Sequence, residues 1–150
     1  MGIVFRPFKG SDEDIVASMI KGLYSEDPSG KEMTDEKILG SFGELTNHPE
    51  RGTIWVMEKD SKVVGYSITI NYWSNEYGGN ILFLDELYVI PSERGSGTGT
   101  NFVRHLKDLR PYNAVAILLE VLPSNEGAIR FYVKNGFAIS RYSHYVLGLT

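Results

Sequence analysis

Cysteine is absent from the 150 residues, and its absence removes several kinds of chemistry at once. Without thiols the chain has no disulfide framework, no cysteine nucleophile and no thiolate metal site. Long hydrophobic stretches are also missing, because the longest apolar run, AVAILL at residues 114–119, is far shorter than a membrane-spanning helix. The beginning, MGIVFRPFKG, carries no apolar signal-peptide core. These absences predict a cytoplasmic protein that does not insert into a membrane.

A basic block is the next missing feature. The 15 Lys and Arg residues are scattered and outnumbered by 19 Asp and Glu, which gives a net charge of −4. Nucleic-acid binding needs a concentrated positive surface, so a DNA or RNA partner is not expected. A mildly acidic protein suits a cationic ligand. The hydrophobic fraction of 42% is ordinary for a soluble globular protein, and the length predicts one domain over residues 1–150.

Hydrophobic spacing predicts the element order β α α β β β α β α β β, which is an α/β fold (α+β-like) with a mixed sheet. Ser11 and Thr34 are the expected caps of the first two helices, and the DPSG sequence at residues 27–30 ends the first. A tight turn at Asp60-Ser61 predicts a hairpin. Further elements are a strand at ILFLDELYVI, a helix using Phe102, Val103, Leu106 and Leu109, a strand at AVAILLEV, a helix capped by Ser124, and strands at residues 137–141 and 144–149.

A glycine-rich loop, ERGSGTG at residues 93–99, separates a predicted strand from a helix. This layout is typical of anion binding, because the first amides of a helix lack internal partners and glycine lets the backbone approach a phosphate. A Walker A loop would end in Gly-Lys-Ser/Thr, and a dinucleotide loop would space its third glycine differently. The pattern that fits is Arg/Gln-x-x-Gly-x-Gly/Ala, from Arg94 to Gly99.

At this point the chain resembles the GNAT superfamily of acyl-CoA N-acyltransferases. The resemblance is carried by LDELYVIPSERGSGTG at residues 84–99 and by LEVLPSNEGAIRFYVKNGF at residues 119–137. It extends in element order over nearly the whole chain. The resemblance implies a single GNAT-type domain, with a central, mostly antiparallel mixed sheet flanked by helices, and acetyl-CoA as the cofactor.

The resemblance also implies which residues meet acetyl-CoA. The loop amides would hold its pyrophosphate, and the backbone of the preceding strand would meet its pantetheine arm. Asn125 resembles an asparagine that contacts the cofactor arm, although it could equally be an early helix cap. The implied cofactor residues are Leu87, Tyr88, Val89, Arg94, Gly95, Ser96, Gly97, Thr98, Gly99, Thr100 and Asn125.

Three residues are candidates for catalysis. Tyr132 matches the position of the tyrosine that GNAT enzymes use as a general acid, although a core tyrosine would look the same. Asp85 and Glu86 are adjacent acids in an apolar strand, where unpaired carboxylates are costly. Strand side chains alternate, so a β-bulge would be needed to aim both into one cleft. By resemblance to polyamine acetyltransferases, we expect Glu86 as the base and Asp85 as the amine anchor; a purely structural pairing is the alternative.

Two further groups are candidates for the acceptor pocket. One is LYSEDP near the end of the first helix, and the other is NYWSNEY, where aromatic rings and an acid suit an alkylammonium ion. A solvated turn and a packed loop are the respective alternatives. The residues are Tyr24, Glu26, Asp27, Tyr72, Trp73 and Glu76. The three histidines are scattered, and no metal site is expected.

The sequence therefore predicts an acetyl-CoA-dependent N-acetyltransferase that moves the acetyl group directly to a primary amine. The acidic balance and the acid pair favour a small cationic acceptor, such as a polyamine, an aminoglycoside or an amino-acid-like amine. Two alternatives remain open: a protein or peptide N-acetyltransferase, and a non-catalytic module that senses acyl-CoA. The apolar end, YSHYVLGL, together with the family resemblance, suggests a homodimer.

Overall fold

The computed structural model of the protein describes residues 2–28 and 30–150. Its strands and helices, in chain order, are β1 (Ile3–Pro7), α1 (Glu13–Glu26), α2 (Asp35–Asn47), β2 (Gly52–Lys59), β3 (Lys62–Ser74), β4 (Gly79–Val89), α3 (Thr98–Leu109), β5 (Ala116–Leu118) and α4 (Glu126–Lys134). Two compact units are present, Met1–Glu120 with the sheet and Val121–Thr150 with α4. That the whole chain is one domain stays a prediction. Among the described residues, no helix has both the length and the apolarity of a membrane span.

The sheet of the first unit has the order β1-β2-β3-β4-β5. The first three pairings are antiparallel, and β4 pairs with β5 in parallel. The predicted hairpin between β2 and β3 is present, and Asp60 and Ser61 both have positive φ angles, 51° and 63°, as a two-residue hairpin turn requires. The α/β class and the mostly antiparallel mixed sheet are thus confirmed.

Helices cover both faces of this sheet because the central strands are apolar on both sides. On one face, Val16 of α1 and Phe42 of α2 pack in a cluster with Ile54 and Val56 of β2. On the other face, Phe102 of α3 meets Trp55 of β2 with 6.0 Å between ring centroids. Alternate residues of one strand therefore enter opposite cores, as strand geometry dictates.

Several boundaries differ from the sequence predictions. Asp12, rather than Ser11, stands at the N-cap position of α1. Thr34 caps α2 as predicted, since its Oγ1 accepts a hydrogen bond from the Lys37 amide at 3.2 Å. Asn125, rather than Ser124, caps α4 and accepts from the Ala128 amide at 3.1 Å. α1 ends at Glu26, as the break at residues 27–30 predicts, although Ser29 in that break lies outside the described residues.

The predicted elements after Pro111 are shorter than expected. β5 contains three residues, so the expected strand over AVAILLEV is wrong in length. The two final strands, residues 137–141 and 144–149, are not formed. Val146 and Leu147 are 90% and 84% exposed, and an alternating pattern forms a strand only where a partner accepts its hydrogen bonds. Leu109, expected on the buried side of α3, is 53% exposed at the last turn. The homodimer suggested by this segment stays a prediction.

A buried ion pair fixes the beginning of α1 to the sheet edge. Asp12 is 4% exposed, and its two carboxylate oxygens accept from Nη1 and Nη2 of Arg6 at 2.8 and 3.0 Å. The Lys9 amide donates to the same carboxylate at 2.9 Å. Arg6 also donates through Nε to Glu58 on β2 at 2.7 Å. The hydrogen bonds from Arg6 lower the pKa of Asp12, against the opposing effect of burial.

We expect Asp12→Ala to reduce the free energy of unfolding by about 3 kcal/mol at pH 7, because it leaves a partly buried guanidinium without its main partner. The folded-state pKa of Asp12 is depressed, so its contribution is complete above the unfolded-state value of about 4 and is lost as the pH falls through the folded-state value. Urea unfolding from pH 7 down to pH 3 measures both effects. Asp14→Ala, an exposed acid of the same helix turn, is the control, and an equal loss in both variants would contradict the assignment.

Candidate active site

A β-bulge in β4 determines where the two adjacent carboxylates point. Ile68 of β3 is paired with Glu86, and the next residue, Thr69, is paired with Leu84. Asp85 is therefore an extra residue without a partner in the ladder, which is what a bulge produces. The β-bulge that the sequence analysis expected is therefore present, and both carboxylates line one cavity.

This cavity lies between α2 and the sheet and has a volume of about 420 Å³. Its lining combines charged and polar side chains with an apolar surface from β3 and α2. The lining residues are Lys37, Gly40, Ser41, Glu44, Leu45, Ile68, Ile70, Asp85 and Glu86. A concave site of this size with a few convergent polar groups has the character of a small-molecule site.

Glu86 is held by two tyrosines. Tyr24 of α1 donates to Oε2 and Tyr66 of β3 donates to Oε1, both at 2.7 Å. Burial is the main cause that raises the pKa of each phenol, and Glu86 adds to it. Both hydroxyls therefore keep their protons at neutral pH and remain donors. Both oxygens of the Glu86 carboxylate are thus occupied and fixed in position.

Asp85 has a different environment. Among the described residues, its carboxylate forms no hydrogen bond or ion pair. Asp85 is an exposed residue, yet enough protein surrounds its carboxyl group to raise its pKa to about 6, first through burial and then through the charges of Glu86 and Glu120. A carboxylate that titrates near neutrality and has free oxygens can exchange a proton with a bound molecule.

The glycine loop leaves backbone amides without an internal acceptor at the beginning of α3. Gly95 and Gly97 have positive φ angles of 80° and 91°, which glycine adopts without strain. Gly97 is the N-cap of α3 and supplies no side-chain cap. The amides of the first turn, at residues 98–100, therefore have no acceptor within the helix. These amides and the positive end of the helix dipole fit a pyrophosphate, as the motif predicts.

Arg94 connects the loop to the end of α1. Its Nη1 and Nη2 donate to the two carboxylate oxygens of Glu26 at 2.7 and 2.8 Å. Its Nε donates to the Val89 carbonyl at 2.7 Å, and the guanidinium lies 5.2 Å from the ring centroid of Tyr88. A Cβ on Gly22 of α1 would lie 2.8 Å from the Tyr88 hydroxyl, so a glycine at this position permits the close approach of β4. One predicted cofactor residue and one predicted acceptor residue are thus joined in an ion pair.

β4 is free of its parallel neighbour beyond Phe83. The pairing with β5 covers Ile81, Leu82 and Phe83, so in the described part of the chain residues 84–89 have no β5 partner. The predicted cofactor residues Leu87, Tyr88 and Val89 lie in this segment. An extended polar ligand could therefore hydrogen-bond there as an additional strand would, although the Val89 carbonyl already accepts from Arg94.

The other two predicted residues, Asn125 and Tyr132, belong to the second unit. Asn125 caps α4 through its side-chain oxygen. Tyr132 lies on α4 between two other rings, with centroid distances of 5.2 Å to Phe131 and 5.5 Å to Phe137. The cap is one of the two roles expected for Asn125. The cofactor role of Asn125 and the acid role of Tyr132 stay predictions.

Part of the predicted acceptor pocket lies elsewhere. In the register of β3 with β4, Tyr72 is paired with Ile81 and Trp73 with Asn80. Trp73 is five residues along β3 from Ile68, so it lies about 16 Å from the level of Glu86. Trp73 is 67% exposed, and Glu76 lies in the turn that follows β3. These residues do not line the cavity at Glu86, whereas Tyr24 contacts Glu86 directly and Asp27 stands at the C-terminal end of α1.

Sequence reasoning missed the contribution of α2. Lys37, Gly40, Ser41, Glu44 and Leu45 line the cavity at positions three and four residues apart, which is the spacing of one helix face. The available signal was a glycine and polar residues on a face of a helix whose opposite side supplies Ile38 and Phe42 to the core.

Comparison with known proteins agrees with this fold. The acetyltransferase (GNAT) family matches residues 17–137, so the chain belongs to this family. An uncharacterized N-acetyltransferase of Mycobacterium tuberculosis is 29% identical over 71% of the chain. The L-2,4-diaminobutyric acid acetyltransferase of Nocardia farcinica is 33% identical over 54% of it. The matched segments span 65% and 41% of those two relatives.

Solved structures confirm the fold over the full chain. A possible acetyltransferase from Clostridium difficile has a TM-score of 0.86 at 23% identity, covering 99% of this chain and 98% of that one. The aminoglycoside acetyltransferase AAC(6')-Iy, in complex with a CoA-containing bisubstrate analog, has a TM-score of 0.82 at 14% identity, covering 100% of both chains. At these identities the likeness concerns the fold alone.

Replacing Gly97 by Ala is expected to weaken CoA binding at least tenfold, because a φ of 91° is costly for an L-residue by about 1–2 kcal/mol and the loop would rearrange. Calorimetric titration with CoA measures the affinity. Gly78→Ala is the matched control, since Gly78 has a φ of 66° and no heavy atom within 4 Å of its built Cβ, but lies in the β3–β4 turn. Unchanged CoA affinity in Gly97→Ala would remove the loop from the cofactor site.

Asp85→Asn is expected to raise the melting temperature at pH 8. The folded-state pKa of Asp85 is raised to about 6, so the charged carboxylate destabilises the folded state above that pH. The gain should shrink between pH 6 and pH 4 and vanish below the unfolded-state value of about 4, where the carboxyl is neutral in both states. Thermal unfolding at several pH values measures this trend, with Asp108→Asn on α3 as the control. A gain that is independent of pH would contradict the assignment.

Proposed function

We propose that this protein transfers the acetyl group of acetyl-CoA to the primary amine of a small cationic molecule. The observation that carries the proposal is the 420 Å³ cavity, in which a β-bulge aims two adjacent carboxylates at one space. An ammonium group is the ligand that such a pair attracts, and a cavity closed on one side by α2 suits a small molecule better than an extended peptide.

The named activities of similar proteins support a small acceptor. One relative is by name an acetyltransferase of a diamino acid, and one structural neighbour is by name an aminoglycoside acetyltransferase. Both names describe small molecules that carry several amines. These proteins share part of the sequence or the fold with this chain, and the acidic cavity supplies the independent physical reason to expect a similar acceptor here.

The contacts favour exchanging the expected roles of the two acids. Glu86 has both carboxylate oxygens hydrogen-bonded to tyrosines, which holds this carboxylate in one position beside the space for the ammonium ion. Asp85 has free oxygens and a pKa raised to about 6. We therefore assign Asp85 as the base that accepts the ammonium proton, directly or through water, and Glu86 as the anchor.

The cofactor supplies an activated acetyl thioester. The amides at residues 98–100 and the glycine loop would hold the pyrophosphate, and the unpaired edge of β4 would hold the pantetheine arm. Among the loop side chains, Ser96 donates to the Glu93 carbonyl at 2.8 Å, and Thr98 is 2% exposed. These two side chains shape the loop, while its amides bind the anion.

Transfer is direct, because the chain has no cysteine to carry the acetyl group. Asp85 first takes one proton from the ammonium group. The neutral amine then forms a bond to the acetyl carbon and the carbon–sulfur bond breaks. The departing sulfur receives a proton, for which Tyr132 is the proposed donor. A phenol with an ordinary pKa near 10 is protonated at neutral pH and can donate in this step. The second proton that leaves the nitrogen replaces the one given by Tyr132.

The deciding experiment is a thiol-release assay with acetyl-CoA and a panel of polyamines, aminoglycosides, amino acids and short peptides. We expect turnover of a small cationic amine by the wild type. Tyr132→Phe and Asp85→Asn should each lower kcat about 10²- to 10⁴-fold, the usual contribution of an acid or a base. CoA affinity, measured by calorimetry, should change little in both variants.

The outcomes separate the alternatives. Turnover of peptides alone would favour a protein or peptide acceptor, and tight CoA binding without any turnover would favour an acyl-CoA-sensing role. Unchanged kcat in Tyr132→Phe would remove Tyr132 from the mechanism. A larger loss in Glu86→Gln than in Asp85→Asn, with both proteins folded, would restore Glu86 as the base.

A further inference from the structure

One face of α2 forms the wall of the cavity opposite the acids, and the proposed chemistry does not use it. Lys37, Gly40, Ser41 and Glu44 present this face, while Ile38 and Phe42 of the same helix are buried in the core. Side chains three and four residues apart share one side of a helix. The wall is therefore a continuous surface that the acceptor must contact.

The two charged side chains on this wall differ in whether they have an oppositely charged partner. Glu44 forms an ion pair with Arg51, so its charge is compensated. Lys37 donates through Nζ to the Glu32 carbonyl at 2.6 Å, and it has no carboxylate partner among the described residues. Lys37 is thus the unpaired positive charge of a cavity whose other side carries Asp85 and Glu86. A ligand that complements both sides has a positive group and a negative group.

The space between the two charged sides is apolar. Ile68 and Ile70 of β3 and Leu45 of α2 line it. Such a surface suits a short aliphatic chain, because methylene groups gain free energy when they leave water. The cavity volume of about 420 Å³ lies toward the lower end of the range for small-molecule sites, which favours a molecule of amino-acid size over an oligosaccharide.

We propose that the acceptor is a diamino acid, with its reacting amine at Asp85 and Glu86, its chain along Ile68, and its carboxylate at Lys37. This inference rests on the proposed function and names the substrate class of the same cavity. A polyamine would place a second ammonium group near Lys37, where like charges repel. A diamino acid also carries a second ammonium group, but its carboxylate accompanies that group and can pair with Lys37, so Lys37 determines specificity by binding the acid group that a polyamine lacks.

Gly40 provides the space that this acceptor needs. A Cβ built on Gly40 meets no heavy atom within 4 Å, and the same is true of Gly43. Glycine inside a helix is unfavourable relative to alanine, so neither glycine is explained by packing. Gly40 lines the cavity and Gly43 does not, which makes the two positions a matched pair for a steric test.

The test compares each diamino acid with the diamine that lacks only its carboxylate: ornithine with putrescine, and lysine with cadaverine. The wild type should favour at least one amino acid by about 10- to 100-fold in kcat/KM, the range for a hydrogen bond to a charged group. Lys37→Gln should abolish this preference by raising KM for the amino acid, and Lys37→Arg should retain part of it. Lys62→Gln, at the exposed beginning of β3, should leave it unchanged.

The steric arm uses Gly40→Leu and Gly43→Leu. The first should raise KM for the acceptor at least tenfold with unchanged CoA affinity, and the second should leave both unchanged. Equal effects of the two substitutions would overturn the assignment of the α2 wall.

The comparison of diamino acids with diamines also separates this inference from the proposed function. Turnover of diamines equal to that of the diamino acids, or a preference that survives Lys37→Gln, would overturn this inference and leave the small-amine function intact. Absence of turnover with every small amine, while CoA still binds, would overturn both.

Discussion

The single extra residue in β4 is the constraint on which the acceptor site depends. In a regular strand, Asp85 and Glu86 would point to opposite faces of the sheet, and one of them would enter the wrong core. The bulge places both on the lining of the same cavity. Burial of a carboxylate and the nearby charge of a second one are both unfavourable for folding, and in that order they raise the pKa of Asp85. The site therefore carries a local cost that the rest of the fold compensates.

Part of that compensation comes from hydroxyl donors on two different elements. Tyr24 on α1 and Tyr66 on β3 donate to both oxygens of Glu86, so this partly buried carboxylate has partners and is fixed in position. Two residues further along α1, Glu26 holds Arg94 at the edge of the glycine loop. The last turn of α1 thus contacts both Glu86 of the cavity and Arg94 of the glycine loop. Movement of this turn would affect both sites together.

Backbone groups and side chains form different parts of the proposed site, and this difference follows from the fold. The proposed cofactor site uses backbone groups: the amides at the beginning of α3 and the edge of β4 that β5 leaves unpaired. The proposed acceptor site uses side chains from α1, α2, β3 and β4. Backbone donors recognise a ligand shared across the family, whereas side chains can vary from one member to another. The cavity wall on α2 is therefore where acceptor choice is expected to be encoded.

The family, the glycine loop, the acid pair and most helices and strands could be predicted from the sequence, because these depend on local spacing and on residues close together in the chain. Sequence reasoning misplaced the caps of α1 and α4 by one residue and predicted final strands, since alternation does not reveal whether a strand has a partner. It assigned Trp73 to the acceptor pocket and overlooked Lys37. These points depend on the register between β3 and β4 and on the packing of α2 on the sheet, which join residues that are distant in the chain.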